Sequence, residues 1–202
     1  MEVIIVPNAE DYYEESIQIF NESFLSKLGF ISKSEELQVS LARDFGLIDI
    51  DVKDKEFVAV AEGKVMGLLT LVFEDQGKLE LKPNISKGKL LKKYGLFGLI
   101  RGALLSMVFS YHPPKNELYI DSIGVSADAR GRGVGTKLLE FAEELAHRKG
   151  CNTLSLHVMK ENPKAKALYE RLGYKVVSED SFRWLKRVTG YSGAYHMIKS
   201  IL

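Results

Sequence analysis

Arg130-Gly131-Arg132-Gly133-Val134-Gly135 is the stretch on which the fold turns. Glycine alternates with arginine, and the run opens a segment in which Val134, Leu138, Phe141, Ala142 and Leu145 make one apolar helical face ending at Gly150. Glycines leave room for main chain to approach a diphosphate. The orphan N–H groups and the dipole of a first helical turn attract anions. Two interleaved arginines add positive charge. A plain glycine turn with solvated arginines has the same appearance, so the flanking sequence has to decide. A Walker A loop is excluded, because Gly135-Thr136-Lys137 lacks the Gly-Lys-Ser/Thr order. A Rossmann turn places G-x-G-x-x-G directly after its strand. Here Thr136 takes the last glycine position and five residues separate Val125 from Gly131. Glu161 can imitate a ribose-binding acid, which leaves a dinucleotide-binding oxidoreductase as an alternative.

Working outward, Glu117 to Val125 reads as a strand, and Ser126 to Arg130 as a short polar turn. Beyond the helix, Leu154, Leu156 and Val158 alternate with Ser155 and His157, the period of another strand. Asn162 caps a further helix that takes Pro163 at its first position, with Ala165, Leu168, Tyr169 and Leu172 on the inner face and Gly173 closing it. Two strands follow, near Tyr174 to Val177 and Ala194 to Ile198. In the N-terminal half, Val3 to Val6 is a strand stopped by Pro7. Asn8 is then expected to cap a helix carrying Tyr13, Ile17, Phe20 and Phe24. Ser34 caps a second helix with Leu37, Leu41 and Phe45 on one face. Glu56–Ala61 and Val65–Phe73 form a hairpin around Glu62-Gly63-Lys64. Glu74 to Lys93 reads as a loop leading into an apolar helix over Tyr94 to Phe109, broken by Tyr111-His112-Pro113-Pro114.

Arg130-x-x-Gly133-x-Gly135 resembles the Q/R-x-x-G-x-G/A acetyl-CoA signature of the GNAT superfamily of N-acetyltransferases. Tyr119 to Val125 is similar to the strand that leads into that loop. Asn162-Pro163-Lys164-Ala165, with Leu168-Tyr169 and Gly173-Tyr174, resembles the family's second motif. The likeness is specific from about Glu117 to Val177 and general over the N-terminal half. It implies an α/β (α+β) fold: a central mixed, mostly antiparallel sheet flanked by helices, with a splayed strand pair holding the cofactor. One such domain is expected over residues 1–202, with an insertion at about 74–116. The resemblance further implies acetyl-CoA as acyl donor, bound through Ile123, Gly124, Val125, Arg130, Gly131, Arg132, Gly133, Val134, Gly135, Thr136, Asn162, Ala165 and Tyr169.

Acetyl transfer from a thioester to an amine needs a deprotonated amine, a stabilised carbonyl oxygen and a protonated leaving thiolate. A lysine-like amine, with a pKa of about 10.4, costs roughly 4–5 kcal/mol to present neutral at pH 7, so a base is wanted. Strand alternation places Tyr119, Asp121, Ile123 and Val125 on one face, with Glu117 farther out. Asp121 is therefore the candidate general base, through a water. A loop cap or a partner for a lysine or arginine is its ordinary reading. Val125 is the candidate oxyanion donor through its backbone N–H. Gly124 reads as a bulge or a close backbone approach, with Ile123 and Val125 offering main-chain bonds to the pantetheine arm. The resemblance implies that Tyr169 donates a proton to the thiolate. A phenol and a thiol differ by only about 1.5 pKa units, although a core tyrosine looks the same in sequence. Asn162 serves as N-cap and can also reach the pantetheine amide. His112 is the second candidate base, His147 and His157 read as structural, and Cys151 has no evident activating partner.

Composition narrows the classes further. The 202 residues carry a net charge of +1, without the basic excess of a nucleic-acid binder. One cysteine excludes an internal disulfide framework and a zinc ribbon. With no signal-peptide pattern in the opening run, a cytoplasmic location is expected. Tyr94 to Phe109 is shorter than a bilayer span and contains Arg101, so it reads as a buried or interface helix without stable membrane association. It either packs in the core, walls off an acceptor pocket, or forms a homodimer interface through Gly95, Gly98 and Gly102. Acidic residues Glu10, Asp11, Glu14, Glu15 and Glu22 either attract a cationic amine or form a solvated face. The expected function is transfer of an acetyl group from acetyl-CoA to a primary amine of a small molecule or peptide, by direct attack in a ternary complex. A non-catalytic acyl-CoA-binding regulatory module is the alternative from another class.

Overall fold

The strands are β1 (Ile4–Pro7), β2 (Glu56–Ala61), β3 (Lys64–Phe73), β4 (Glu117–Val125), β5 (Thr153–Met159), β6 (Lys175–Ser181) and β7 (Gly193–Ser200). In the computed structural model they form one seven-stranded sheet in the order β1-β2-β3-β4-β5-β7-β6. The structure describes residues 2–25, 34–44, 55–73, 84–86, 88–96, 99, 111–183, 186 and 190–201. Among these, every strand pair is antiparallel except β4 with β5. The helices are α1 (Glu10–Phe20), which runs on into a π-helical turn (Asn21–Leu25), α2 (Glu35–Asp44), α3 (88–96), α4 (Val134–Arg148) and α5 (Pro163–Arg171). A mixed, mostly antiparallel sheet flanked by helices is the architecture the sequence motifs imply. It also overturns the dinucleotide-fold alternative, which needs a succession of parallel strands. Glu161, the imitator of a ribose-binding acid, instead accepts hydrogen bonds from the Ser192 N–H (2.9 Å) and hydroxyl (2.6 Å) at the entry to β7.

Alternation assigns the two faces. Phe57, Ala59, Leu69 and Leu71 pack with Leu118, Ile120, Leu154 and Leu156 against Val134, Leu138 and Ala142 of α4. Each of the larger side chains contributes about 1.5–3 kcal/mol by burial. On the opposite face Val58, Val60, Val65 and Leu68 meet Ile17 and Ile19 of α1.

Several local expectations change. The N-cap of α1 is Ala9, without a side-chain cap bond. Asn8 is drawn away by tertiary partners: its amide donates to Glu56 at 3.2 Å and its oxygen accepts from the Ser16 hydroxyl at 3.2 Å. Leu37 is exposed, Val39 packs near the second cluster, and the side chains of Leu41 and Phe45 lie outside the described residues. The Glu74–Lys93 loop contains most of α3, which buries Leu90 beside Ile85, Tyr94 and Leu99. Residues 100–110, and with them most of the expected apolar helix together with Gly98 and Gly102, lie outside the described residues. Asp44 ties α3 to α2, accepting from Lys93 at 2.6 Å and from the Tyr94 hydroxyl at 2.7 Å. Among the described residues no helix is long and apolar enough to cross a membrane.

Candidate active site

Strand β4 does not alternate uniformly. Its register with β3 steps from Ser122–Thr70 to Ile120–Leu71, leaving Asp121 as an extra residue, a β-bulge. Beyond it the faces exchange. Leu118 and Ile120 pack on the α4 side, and so do Ile123 and Val125, whereas Gly124 turns toward α1. The expected single face for Tyr119, Asp121, Ile123 and Val125 is therefore wrong. Ile123 and Val125 lie toward α4, and Tyr119 lies on the opposite side. The bulge also sits at Asp121 and not at Gly124. Gly124 is a close approach instead: a Cβ there would stand 2.8 Å from Ser23 Oγ of the π-helical turn and 3.3 Å from Ile19.

The parallel pairing of β4 with β5 runs from Glu117–Thr153 to Ile120–Leu156 and then ends. Both strands continue, β4 to Val125 and β5 to Met159, so they part. The Ser126 N–H bonds to the Met66 carbonyl at 3.0 Å, which makes that a hydrogen-bonded pair of the β3–β4 ladder. By the alternation of antiparallel pairing, the main-chain groups of Val125 and Ile123 then point away from β3, toward the parting. The Val125 carbonyl accordingly accepts from Arg130 Nε at 3.2 Å.

From Val125 the chain passes through one 3-10 turn (Ala127–Ala129) into the glycine–arginine run. Gly131 and Gly133 take positive φ, +75° and +82°, and a Cβ at either would meet nothing within 4 Å. Here glycine supplies left-handed backbone, and the space where its Cβ would stand is open. Gly133 is the N-cap of α4, and the first intrahelical bond runs from Lys137 N to Gly133 O at 3.1 Å. The N–H groups of Val134, Gly135 and Thr136 are thus the orphan donors of the first turn, which holds no acidic residue. Arg130 and Arg132 are exposed beside it. This donor set suits a pyrophosphate. Gly135 is inside the helix, where a Cβ would lie 3.6 Å from Val125 Cγ2 and 3.7 Å from Leu168 Cδ2. That contact brings the end of β4, the start of α4 and α5 to one place.

Asn162 caps α5 as its sequence indicates, accepting from Ala165 N at 3.2 Å with Pro163 following. Tyr169 is buried, its ring 5.9 Å from that of Tyr174, and burial raises its phenol to about 12. Asp121 is half-buried, and burial raises its carboxyl to about 6. His112 and His147 are exposed, and Cys151 follows α4 with its N–H on Ala146 O at 2.9 Å. Glu14 pairs with Arg43 of α2 at 2.6 Å, and Glu15 accepts from Val65 N at 2.7 Å.

Sequence reading missed a polar aromatic cluster on the face away from α4. The Tyr119 hydroxyl lies 3.1 Å from Nδ1 of His157, which stacks on His196 (4.5 Å between centroids, 8° between planes). The Tyr111 ring covers the group, 4.6 Å from Tyr119 and 5.1 Å from each histidine. Buried Glu117 accepts from the hydroxyls of Tyr111 (3.0 Å) and Ser155. Burial, then the neighbouring His196, lowers His157 to about 4. The available signal was the matched alternation of Glu117, Tyr119, Ser155 and His157, which only strand pairing converts into contact.

The family model described as "Acetyltransferase (GNAT) family" matches residues 13–174. The chain belongs to the GNAT acetyltransferase family. Within the family, a Mus musculus thialysine N-epsilon-acetyltransferase is 36% identical over 103 residues, 51% of this chain and 55% of that protein. The chain spans about half the length of the curated relatives it matches. A GCN5-related N-acetyltransferase from Kribbella flavida shares the fold at TM-score 0.63 and 20% identity, over 98% of this chain and 97% of that one. The PaiA N-acetyltransferase from Thermoplasma acidophilum, solved in complex with coenzyme A, shares it at TM-score 0.56 and 17% identity, over 99% of each chain.

Proposed function

We propose that this protein moves an acetyl group from acetyl-CoA to a primary amine of a small molecule or peptide, by direct attack within a ternary complex. One observation carries the reading: β4 parts from β5 after the Ile120–Leu156 pair, beside the orphan N–H groups that open α4. The first turn of α4, with Arg130 and Arg132, would hold the pyrophosphate. The main chain of Ile123 and Val125 would hold the pantetheine arm, as a third strand would. Acetyl-CoA then supplies an activated thioester, and the Val125 N–H meets the charge that develops on its carbonyl oxygen.

Asp121 takes the proton of the acceptor ammonium. Raised to about 6, it is a better base than an ordinary aspartate, and at pH 7 roughly nine in ten molecules still carry it ionised. Tyr169 stays protonated throughout the working range. With its phenol at about 12, full transfer to a free thiolate is uphill by roughly 3.5 units. Its first role is therefore to donate a hydrogen bond to the sulfur as the C–S bond breaks.

Release of CoA thiol across an amine panel tests the reading, with thialysine, polyamines, amino acids, aminoglycosides and N-terminal peptides as acceptors. Thialysine leads the panel because the matched mammalian relatives carry it in their names. Saturable release with one class, reduced at least about tenfold in kcat by Asp121→Asn and Tyr169→Phe, supports it. Acetyl-CoA raising the Tm with no amine releasing thiol would make the protein an acyl-CoA-binding module instead.

A further inference from the structure

We infer that Glu117 and the rings around it form a second cation seat, which takes the non-reacting ammonium of a diamine or polyamine acceptor. The inference rests on the reading of this site as an amine acetyltransferase and names its substrate class. On that reading the phosphates of the cofactor sit at the first turn of α4, and its thioester reaches the parting of β4 and β5 from that side. The acceptor meets it from the opposite face. Leu118, Ile120, Leu154 and Leu156 pack on the α4 side, so their alternates Glu117, Tyr119, Ser155 and His157 line the opposite face. The pairing of β4 with β5 begins at Glu117–Thr153 and ends at Ile120–Leu156. Glu117 thus stands at the closed end of the paired stretch, about 13 Å along β4 from Asp121 at the rise of an extended strand.

Glu117 is 7% exposed, buried but not sealed. The hydroxyls of Tyr111 (3.0 Å) and Ser155 both donate to its Oε1, and no described residue donates to Oε2. Among the described residues no lysine or arginine pairs with it either. A buried carboxylate without a cation beside it is unfavourable, and an ammonium placed there offsets much of the penalty. His196 supplies a second incomplete group: its Nε2 is sealed from solvent and has no hydrogen-bond partner. Tyr111 joins the two, with its hydroxyl on Glu117 and its ring 5.1 Å from that of His196. Tyr119 and His157, with ring centroids 4.6 Å and 5.1 Å from Tyr111, complete a wall of four rings. Burial lowers both histidines, His157 to about 4, so at neutral pH the wall carries no positive charge to repel a cation. Asp180, 3.8 Å from His157, adds negative charge at the rim. An ammonium brings three N–H donors and a charge that ring faces and a carboxylate both attract. A bare alkyl end or a carboxylate end brings neither.

The test is CoA-thiol release by the full chain along a series of α,ω-diamines of increasing length, each beside the n-alkylamine and the ω-amino acid of the same length. At its best length the diamine should exceed the alkylamine by about tenfold or more in kcat/KM, with the ω-amino acid last. Glu117→Gln keeps an acceptor for the Tyr111 and Ser155 hydroxyls and removes the charge. Its diamine-to-alkylamine ratio should fall toward one. The ratio is taken within each protein, so a general loss of activity does not imitate the effect. Equal kcat/KM for diamine and alkylamine at every length in wild type overturns the inference, and this criterion decides the matter if Glu117→Gln does not fold. A diamine preference that survives in Glu117→Gln overturns it as well. Absence of thiol release with every amine removes the acetyltransferase reading and leaves the seat to be judged by calorimetry on wild type. There, a diamine that binds more tightly than its alkylamine supports the seat, and equal or absent binding rejects it.

Discussion

Asp121→Asn is expected to make the protein more stable at neutral pH while removing its proposed base. The carboxyl stands at about 6 in the fold against 3.8 for a free side chain, with burial as the cause. A carboxyl raised by folding binds protons more tightly in the native state than in the unfolded one. Its contribution is favourable below pH 3.8 and is lost as pH rises through the folded value of about 6. Roughly two units at about 1.36 kcal/mol each give a loss of about 3 kcal/mol by pH 8. Asparagine has nearly the same shape and no charge, so the variant lacks this pH-dependent loss. Urea unfolding of both proteins from pH 4 to pH 8 measures it. The stability difference, variant minus wild type, should grow by about 2–3 kcal/mol across that interval, most of it between pH 4 and 7. Other titrations are common to both proteins and cancel. A difference that stays flat with pH, or that grows in favour of wild type, would refute the claim that a desolvated carboxylate is retained here at a cost to stability.

The histidine cluster gives the opposite slope. His157 is depressed from 6.5 to about 4, so its contribution is present above pH 6.5 and lost as pH falls through about 4. Removing it in His157→Phe should cut the acid-side loss of stability by up to about 3 kcal/mol, and equal slopes in both proteins would contradict this. Gly133→Ala places a Cβ in open space but at φ +82°, so it should cost about 1–2 kcal/mol in urea unfolding from backbone strain alone. Gly193→Ala is expected to do worse. Its Cβ would stand 2.2 Å from the Asp180 carbonyl of β6, and a drop in Tm of only a degree or two would show that β6 moves freely aside. Asn162→Ala loses the α5 cap and should cost about 1 kcal/mol, with KM for acetyl-CoA rising further only if the side chain also reaches that ligand.

The sequence alone determined whatever depends on a few consecutive residues. The start of α4 follows from the glycine–arginine run, the start of α5 from the Asn162-Pro163 cap, and the inner faces of α4 and α5 from helical periodicity. The two motifs, in their order along the chain, were sufficient for the family. Tertiary structure decided what depends on register. One extra residue in β4 reverses the face of every side chain on one side of it, and no residue type at Asp121 announces that insertion. Asn8 looks like a cap and becomes a buried partner of Glu56, 48 residues away. Tyr119 and His157 meet across 38 residues because β4 and β5 pair in parallel before they part. Short-range rules describe bonds a segment makes with itself. The polar aromatic cluster of Tyr119, His157 and His196 is made by strands that approach one another only once the sheet has formed.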